Sequence, residues 1–130
     1  MNTASEFRLA EIHQDLSAII HAAAGLYLGR FEVVEGVRSL GKQKKLFAAG
    51  ASKTMRSRHI PECNRCGKAC AVDLAVIVDN AVRWDWPLYG ALADTVKEAS
   101  KQIGIPIEWG GDWRTFKDGP HFQLPWSKYP

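Results

Sequence analysis

Two short clusters contain the side chains of this chain that are best suited to hydrolytic chemistry. The first contains His59 and, after an intervening loop, Asp73 within an apolar run; the second is Asp118-Gly119-Pro120-His121. Two histidines and one carboxylate can bind a zinc ion and leave its fourth position open for water. Asp118, three residues before the second histidine, could accept a proton from that water. Together the clusters predict a hydrolytic zinc site.

Each of these residues also has an ordinary structural explanation. Asp73 could be a hydrogen-bonded structural carboxylate, since an unpaired buried charge is costly. His59 alone could be a surface histidine of a polar loop, and His121 a half-buried histidine at the start of a strand. The combination of the residues, and no single one of them, favours the metal site.

Three cysteines, Cys63, Cys66 and Cys70, lie close together between the two clusters. A Cys-x-x-Cys turn is a common half of a structural zinc site, which needs four ligands. Cys70 could be the third ligand, with His59 or an external group as the fourth. Two alternatives stay open: a Cys63–Cys66 redox pair, or Cys70 as a small buried apolar residue. An odd number of cysteines without a signal peptide argues against a disulfide framework.

Length and composition predict one globular domain. The chain has 130 residues, of which 46% are hydrophobic and 24% charged. The net charge of +3 could steer the protein toward anionic polymers such as nucleic acid or a cell wall, but a solvated basic face is the simpler interpretation. No apolar run approaches the ~20 residues of a membrane span, and the N-terminus lacks the pattern of a signal peptide. We expect synthesis in the cytoplasm and no stable membrane association.

The hydrophobic pattern predicts helices that pack on a small sheet. The predicted order is a helix over 9–24, a strand over 31–37, a helix over 39–49, a loop over 51–68, a strand over 71–78, a helix over 88–103, and short strands over 105–109 and 121–124. No repeat or linker interrupts this order. The fold class is therefore α+β, a single domain over 1–130 with a mostly antiparallel sheet.

The two clusters resemble the motifs of a known family. Ser57-Arg58-His59 with Ala71-Val72-Asp73-Leu74 looks like the Ser-x-His…Gly-x-Ala-x-Asp motif of the M15 zinc peptidases, and Asp118-x-x-His121 looks like their second motif. Gly36-Val37-Arg38-Ser39 resembles their Arg-Ser/Thr element. Including the stretch Trp109-Gly110-Gly111-Asp112-Trp113, the chain is most similar to the phage endolysins of this family, which cut L-alanyl-D-glutamate bonds in peptidoglycan.

The resemblance implies a role for each matching residue. His59, Asp73 and His121 would bind one catalytic zinc ion. Asp118 would be the general base, and Arg38 would stabilise the oxyanion, as a fixed cation does where negative charge develops. The residues expected to orient substrate or a ligand are Ser57, Gln43, Trp109 and Asp112.

The same resemblance implies a fold and a biological role. The fold would be the hedgehog-like zinc peptidase fold of the VanX and VanY enzymes. The protein would be a monomeric endolysin that binds peptidoglycan and no nucleic acid, has no separate wall-binding domain, and reaches the periplasm after another protein permeabilises the inner membrane. Two alternatives remain: a D-alanyl-D-alanine carboxypeptidase or dipeptidase of the same family, and a non-catalytic zinc-binding module that uses the three cysteines.

One feature departs from the family pattern. The interval between His59 and Asp73 is longer than usual, which indicates an insertion around residues 62–68. The usual glycine is displaced to Gly67 or replaced by Ala69. Such an insertion is energetically tolerable, because the cost of loop closure grows slowly with length.

Overall fold

The computed structural model describes residues 1–52 and 54–130; Lys53, in the predicted loop 51–68, lies outside the described residues. The described part contains four helices and five strands. In chain order they are α1 (Thr3–Ala10), α2 (Gln14–Leu26), β1 (Arg30–Glu35), α3 (Leu40–Ala48), β2 (Ala71–Val78), β3 (Ala81–Arg83), α4 (Trp86–Ile103), β4 (Glu108–Trp109) and β5 (His121–Gln123). Short 3-10 turns cover Pro61–Cys63 and Gly110–Asp112.

Strand β2 is the centre of the sheet. The strand order is β1-β2-β5-β4, and every pair is antiparallel. One edge of β2 pairs with β1, whereas the other edge pairs with β5 near the start of β2 and with β3 near its end. The predicted α+β fold with an antiparallel sheet is confirmed.

Helices α2 and α4 form the hydrophobic core together with the sheet. Leu16 and Ile19 of α2 and Leu92 and Val96 of α4 are fully buried, at the spacing of one apolar helix face. Helix α4 ends at Gly104, whose φ of 74° is the left-handed conformation that closes many helices. Among the described residues, no helix has both the length and the apolar character needed to cross a membrane.

The prediction of a single first helix over 9–24 is wrong, since the chain breaks between α1 and α2. His13 caps α2 by accepting a hydrogen bond from the Asp15 N–H at its Nδ1 (3.0 Å). Ile12 forms an isolated parallel bridge with Ala69. Leu9 and Ile12 are both buried. Because residues on both sides of the break face the same core, their spacing imitates one continuous helix.

Strand β3 was not predicted. It is joined to β2 by a two-residue turn in which Asp79 and Asn80 have φ values of 52° and 64°, as tight hairpins require. All three residues of β3 are exposed, so no alternation of apolar residues marks it. Strand β1 ends at Glu35, earlier than predicted, and contains a bulge between Val33 and Glu35.

Candidate active site

Three predicted ligands, His59, Asp73 and His121, converge in the structure. The nitrogen and oxygen atoms that could bind a metal ion all lie within 4.8 Å of one another. No second group of side chains that could hold a metal ion is found in residues 1–52 and 54–130. Asp73 Oδ1 lies 3.4 Å from His59 Nε2 and 3.3 Å from His121 Nδ1. The three side chains come from a loop, the central strand and a short strand, respectively.

The register of the sheet brings Asp73 and His121 together. They are directly opposite each other in the β2–β5 pair, so both side chains point to the same face. The neighbouring partners Val72 and Phe122 point the other way and are fully buried in the core. The backbone ladder therefore positions two of the three ligands.

Two contacts with the chain after β1 orient His59. Its Nδ1 lies 2.8 Å from the Gly36 carbonyl oxygen, and its own carbonyl oxygen accepts a hydrogen bond from the Arg38 N–H (2.9 Å). The contact with Gly36 requires a proton on Nδ1, and in the neutral imidazole this leaves a lone pair on Nε2. Nε2 is buried and has no hydrogen-bond partner in the described part of the chain. Its lone pair faces the Asp73 carboxylate, an arrangement that a cation between the two acceptors would stabilise.

His121 is oriented by a chain of hydrogen bonds. Its Nε2–H donates to Gln123 Oε1 (2.8 Å), which leaves Nδ1 directed at Asp73. Gln123 Nε2 donates to Glu108 Oε2 (3.2 Å), and Trp113 Nε1 donates to the same oxygen (2.9 Å). Each histidine thus uses one ring nitrogen for the protein and directs the other at Asp73, as metal-bound histidines do.

These features fit a metal ion. Two imidazoles and a carboxylate are a donor set that zinc accepts, and three protein ligands leave a position open. The orphaned His59 Nε2 is an independent indication, because a buried polar atom without a partner is costly. His59, Asp73 and His121 therefore form a candidate metal-binding site.

The two carboxyl groups of the site are shifted in opposite directions. Burial raises the pKa of Asp118, and the negative charge of Asp73 raises it further. Burial also acts to raise the pKa of Asp73, but contacts with His121 and His59 outweigh it and the pKa is lowered. Asp73 therefore stays ionised, whereas Asp118 is more easily protonated. Such a separation is typical of carboxyl groups with different roles in one site.

Arg38 is fixed beside the metal-binding group. Its Nε donates to Glu35 Oε1 (2.8 Å), its Nη2 donates to the same oxygen, and its Nη1 donates to Gln43 Oε1 (2.8 Å). Nη2 also lies 3.7 Å from Asp73 Oδ2. The bulge in β1 places Glu35 opposite Asp73 in the β1–β2 pair. The guanidinium group is therefore held next to the ligands with a defined orientation.

The comparison with known proteins identifies the family. Residues 1–124 match the model of the family described as phage L-alanyl-D-glutamate peptidase. The chain belongs to this peptidase family. The assignment confirms the resemblance to the phage endolysin peptidases and the prediction of an enzyme.

Named relatives of the phage L-alanyl-D-glutamate peptidase family cover most of the chain. The L-alanyl-D-glutamate peptidase of Escherichia phage T5 is 26% identical over 118 residues, which are 88% of this chain and 81% of that protein. The peptidoglycan L-alanyl-D-glutamate endopeptidase CwlK of Bacillus subtilis (strain 168) is 32% identical over 124 residues, 87% of this chain and 71% of that protein. The Listeria phage A118 peptidase is 34% identical over 75% of this chain, which matches 31% of that longer protein.

Two solved structures resemble this member of the family. The Serratia marcescens L-Ala D-Glu endopeptidase ChiX superimposes with a TM-score of 0.87 at 39% identity, over 98% of this chain and 91% of that chain. The vancomycin-resistance D,D-dipeptidase VanXYg superimposes with a TM-score of 0.52 at 16% identity, over 87% of this chain and 50% of that chain. The second likeness shows a shared fold.

A cleft of about 300 Å³ opens beside His121. Ser57, predicted to orient substrate or a ligand, lines this cleft, and its Oγ accepts a hydrogen bond from the His59 N–H (3.2 Å). Gln43 lies elsewhere: it is fully buried behind Arg38, and its amide nitrogen donates to Ser52 Oγ (2.7 Å). The other described residues that line the cleft are Thr54, Arg56, Arg58, Glu108, Trp113, Gln123 and Trp126.

The Trp109–Trp113 stretch supports the turn that carries Asp118. Trp109 Nε1 donates to the Gly119 carbonyl oxygen (2.7 Å). A Cβ atom on Gly110 would lie 2.4 Å from the Asp118 carbonyl oxygen, and one on Gly111 would lie 2.2 Å from the Trp109 ring. The two glycines thus permit the close approach of these segments. Trp109 does not line the cleft described above.

Asp112 lies at the surface and not at the ligands. Its Oδ2 accepts a hydrogen bond from Lys97 Nζ (2.6 Å), and 55% of its side chain is exposed. Among residues 1–52 and 54–130, the carboxylate makes no other hydrogen bond or ion pair. The expected support of a metal ligand by Asp112 is therefore not seen in the structure.

The three cysteines form no second group of metal ligands in the described residues. All three thiols are free, and Cys66 Sγ lies 3.9 Å from Cys70 Sγ. His59, considered as a fourth ligand, lies with Asp73 and His121 instead. Cys70 is buried, and burial raises the pKa of its thiol to about 12, so the thiol is protonated at neutral pH. The structure thus favours Cys70 as a buried apolar residue.

Sequence reasoning missed several residues that position the ligands. Glu35 holds Arg38, while Gln123 and Glu108 hold His121. A signal existed for Gln123, because residues two apart in a strand point to the same face as His121 does. No comparable signal existed for Glu35, since the bulge in β1 decides which residue lies opposite Asp73 in the sheet. Burial opposes ionisation of Glu35, but hydrogen bonds from Arg38 and Lys42 outweigh it and lower the pKa.

Proposed function

We propose that the protein is a zinc-dependent endopeptidase that cleaves the L-alanyl-D-glutamate bond in the stem peptides of bacterial peptidoglycan. The observation that carries the proposal is the convergence of His59, Asp73 and His121 around an unpartnered His59 Nε2 in a member of this peptidase family. These three residues would hold the ion. A zinc ion bound there would lower the pKa of a water molecule toward ~7 and polarise the scissile carbonyl.

Asp118 is proposed as the general base. The two histidines contact the carboxylate of Asp73 and not that of Asp118. The Asp118 carboxylate is therefore available for proton transfer. Burial and the charge of Asp73 raise its pKa above the ordinary value of an aspartate, a direction that suits a group that must both accept and donate a proton. Asp118 would take the proton of the attacking water and deliver it to the departing amine of glutamate.

Arg38 is proposed to stabilise the negative charge that develops on the scissile carbonyl oxygen. Three of its nitrogens make the hydrogen bonds to Glu35 and Gln43 that fix the guanidinium group. An arginine has five N–H donors, so further donors remain for the substrate. A cation held in place before the reaction needs no reorganisation when the oxyanion forms.

We propose the following setting for the reaction. Residues 1–130 form one catalytic domain that acts as a monomer and needs no nucleic acid or stable membrane contact. The protein is made in the host cytoplasm and reaches the cell wall after another protein permeabilises the membrane. Its role is then host lysis, in keeping with the phage relatives named above.

Digestion of purified peptidoglycan by the wild type and by Asp118→Asn tests the proposal. The fragments are identified by mass spectrometry. The wild type is expected to release fragments with a new L-alanine carboxyl end. Asp118→Asn should keep its fold and metal content but lose about 10²–10⁴-fold in rate.

Asp112→Asn is the matched control, because Asp112 is an exposed aspartate paired with Lys97. It should cleave at close to the wild-type rate. Release of D-alanine alone would assign the protein to the D-alanyl-D-alanine carboxypeptidases. No cleavage by folded, zinc-loaded wild type would refute the proposed function.

A further inference from the structure

The cleft beside His121 contains a cation without an acidic partner in the described residues. Arg56 lines this cleft and is exposed, and no hydrogen bond or ion pair of its guanidinium group is found among residues 1–52 and 54–130. Glu108, the acidic residue that lines the cleft, instead accepts hydrogen bonds from Trp113 and Gln123. The positive charge of Arg56 is therefore available to a ligand.

Trp126 supports Arg56. The Cζ atom of Arg56 lies 4.4 Å from the centre of the Trp126 ring, within the range of a cation–π contact. Stacking on an aromatic face leaves the N–H groups at the edge of a guanidinium free to bind a planar anion. The contact therefore positions the group without using its donors.

A buried arginine contacts the same tryptophan. Arg58 Cζ lies 3.8 Å from the Trp126 ring, and Arg58 is 2% exposed. Its two Nη atoms donate to Asn64 Oδ1 (2.7 Å) and to the carbonyl oxygens of Leu124 (3.0 Å) and Tyr129 (2.6 Å). Arg58 thus belongs to the interior and ties Trp126 to it, whereas Arg56 is the accessible one of the two arginines.

The other arginine at the site differs in its charge balance. Arg38 forms an ion pair with Glu35 and lies 3.7 Å from Asp73 Oδ2. Its positive charge is largely compensated before any substrate binds. Arg56 has no such compensation, so an added carboxylate gains more from Arg56 than from Arg38.

The proposed substrate carries a group that matches Arg56. A glutamate residue has two carboxyl groups, and continuation of the peptide uses one of them, so the other stays free. This carboxylate belongs to the residue directly after the scissile bond. Arg56 and the candidate ligand His121 line the same cleft of about 300 Å³, at the small end of the volumes of ligand-binding clefts.

We propose that Arg56, supported by Trp126, binds the free carboxylate of the glutamate residue and thereby selects glutamate after the scissile bond. The inference rests on the proposed function. Loss of this contact should weaken binding of substrates with the free carboxylate and leave substrates without it unaffected.

The test compares two soluble stem-peptide fragments, chosen after cleavage of each by the wild type has been verified. They differ only in whether the free carboxyl group of glutamate is a carboxylate or a carboxamide. The wild type should have a kcat/KM about 10-fold higher for the carboxylate, as expected for a charge-assisted hydrogen bond. Arg56→Gln should lose this preference through a higher KM for the carboxylate, with kcat retained and the carboxamide cleaved as before.

Two further variants separate recognition from structure. Arg56→Lys keeps the charge and should keep part of the preference. Arg83→Gln removes an arginine of strand β3, which pairs with the end of β2 away from β5, and should behave as the wild type. An unchanged preference in Arg56→Gln, or an equal loss of rate on both substrates, would overturn the proposal. Failure of the wild type to release L-alanine ends from peptidoglycan would instead refute the proposed function.

Discussion

The metal-binding group and the cysteine cluster offer the same number of ligands, yet the structure arranges them differently. His59, Asp73 and His121 are distant in sequence and converge within 4.8 Å. Cys63, Cys66 and Cys70 are close in sequence, and their thiols are half-buried, exposed and buried, respectively. Proximity along the chain therefore says little about a metal site.

The two groups differ in the hydrogen bonds that orient their potential ligand atoms. Gly36 holds the Nδ1 of His59, and Gln123 holds the Nε2 of His121. The sulfur atoms of Cys66 and Cys70 instead contact each other and the Lys68 carbonyl oxygen. Directed lone pairs mark the first group as the one that suits a cation.

Removal of a histidine ligand should produce the largest difference between the two groups. His121→Ala is expected to lose the bound zinc and at least about 10³-fold in activity, because the ion supplies several kcal/mol of transition-state stabilisation. The double variant Cys63→Ser/Cys66→Ser should retain one zinc per chain and wild-type activity. Metal analysis measures the zinc content of each variant, and peptidoglycan digestion measures its activity. Zinc loss from the cysteine variant but not from His121→Ala would show that the cysteines hold the ion.

Substitution of a residue that orients a ligand should reduce zinc affinity less than removal of the ligand itself. Gln123→Leu removes the acceptor for His121 Nε2–H, so the affinity for zinc should fall about 10- to 100-fold. Competition with a chromogenic chelator gives this value. The control is Gln102→Leu on α4, whose side chain donates a hydrogen bond to the exposed Glu98 and lies away from the candidate ligands. Equal affinities of Gln123→Leu and wild type would show that this support is unimportant.

Substitution of one glycine near each group tests how strongly the backbone there affects activity. Gly110→Ala forces the Asp118 carbonyl oxygen to move, so stability should fall by about 1–3 kcal/mol, and activity should fall with it. Gly67, in the cysteine loop, has a φ of 73° and nothing within 4 Å of an added Cβ. Gly67→Ala should cost about 1–2 kcal/mol through its conformation but leave activity unchanged. Denaturant unfolding and digestion rates distinguish these outcomes.

Thiol chemistry provides the smallest expected effect. With a pKa of about 12, only about 10⁻⁴ of Cys70 is ionised at pH 8. Iodoacetamide should therefore label the exposed Cys66 and leave Cys70 unlabelled, without loss of peptidase activity. Mass spectrometry of the labelled peptides reads the result. Labelling of Cys70 as fast as Cys66 would contradict the buried position of Cys70.

Local sequence patterns predicted the parts of the fold that depend on local interactions. The bounds of β2 were predicted as found, because seven of its eight residues are buried or half-buried and all except Asp73 are apolar. The break between α1 and α2 was missed, since Leu9, Ile12 and Leu16 keep helical spacing across it. The exposed strand β3 gave no hydrophobic signal.

The candidate site was predictable to the extent that its residues form motifs. His59, Asp73 and His121 were named from the two clusters, and the structure brings them together. Glu35 was not, because its position depends on a bulge and on pairing with a distant strand. Arg56 was not either, since its contact with Trp126 joins two residues that are distant in sequence and that no sequence pattern connects.

Helix α3, which holds one contact of Arg38, should be less stable against local unfolding than the sheet that holds Asp73 and His121. Gln43 is the one fully buried residue among the nine of this helix, and Leu40 and Phe47 are exposed. Segments with so little buried apolar surface unfold locally at low free energy and exchange their amide protons early. Opening of α3 would free Arg38 from Gln43, while the β2–β5 ladder keeps Asp73 beside His121. We therefore expect Asp73 and His121 to lie in the slowly exchanging part of the protein, and Gln43, which anchors Arg38, in the part that exchanges fast.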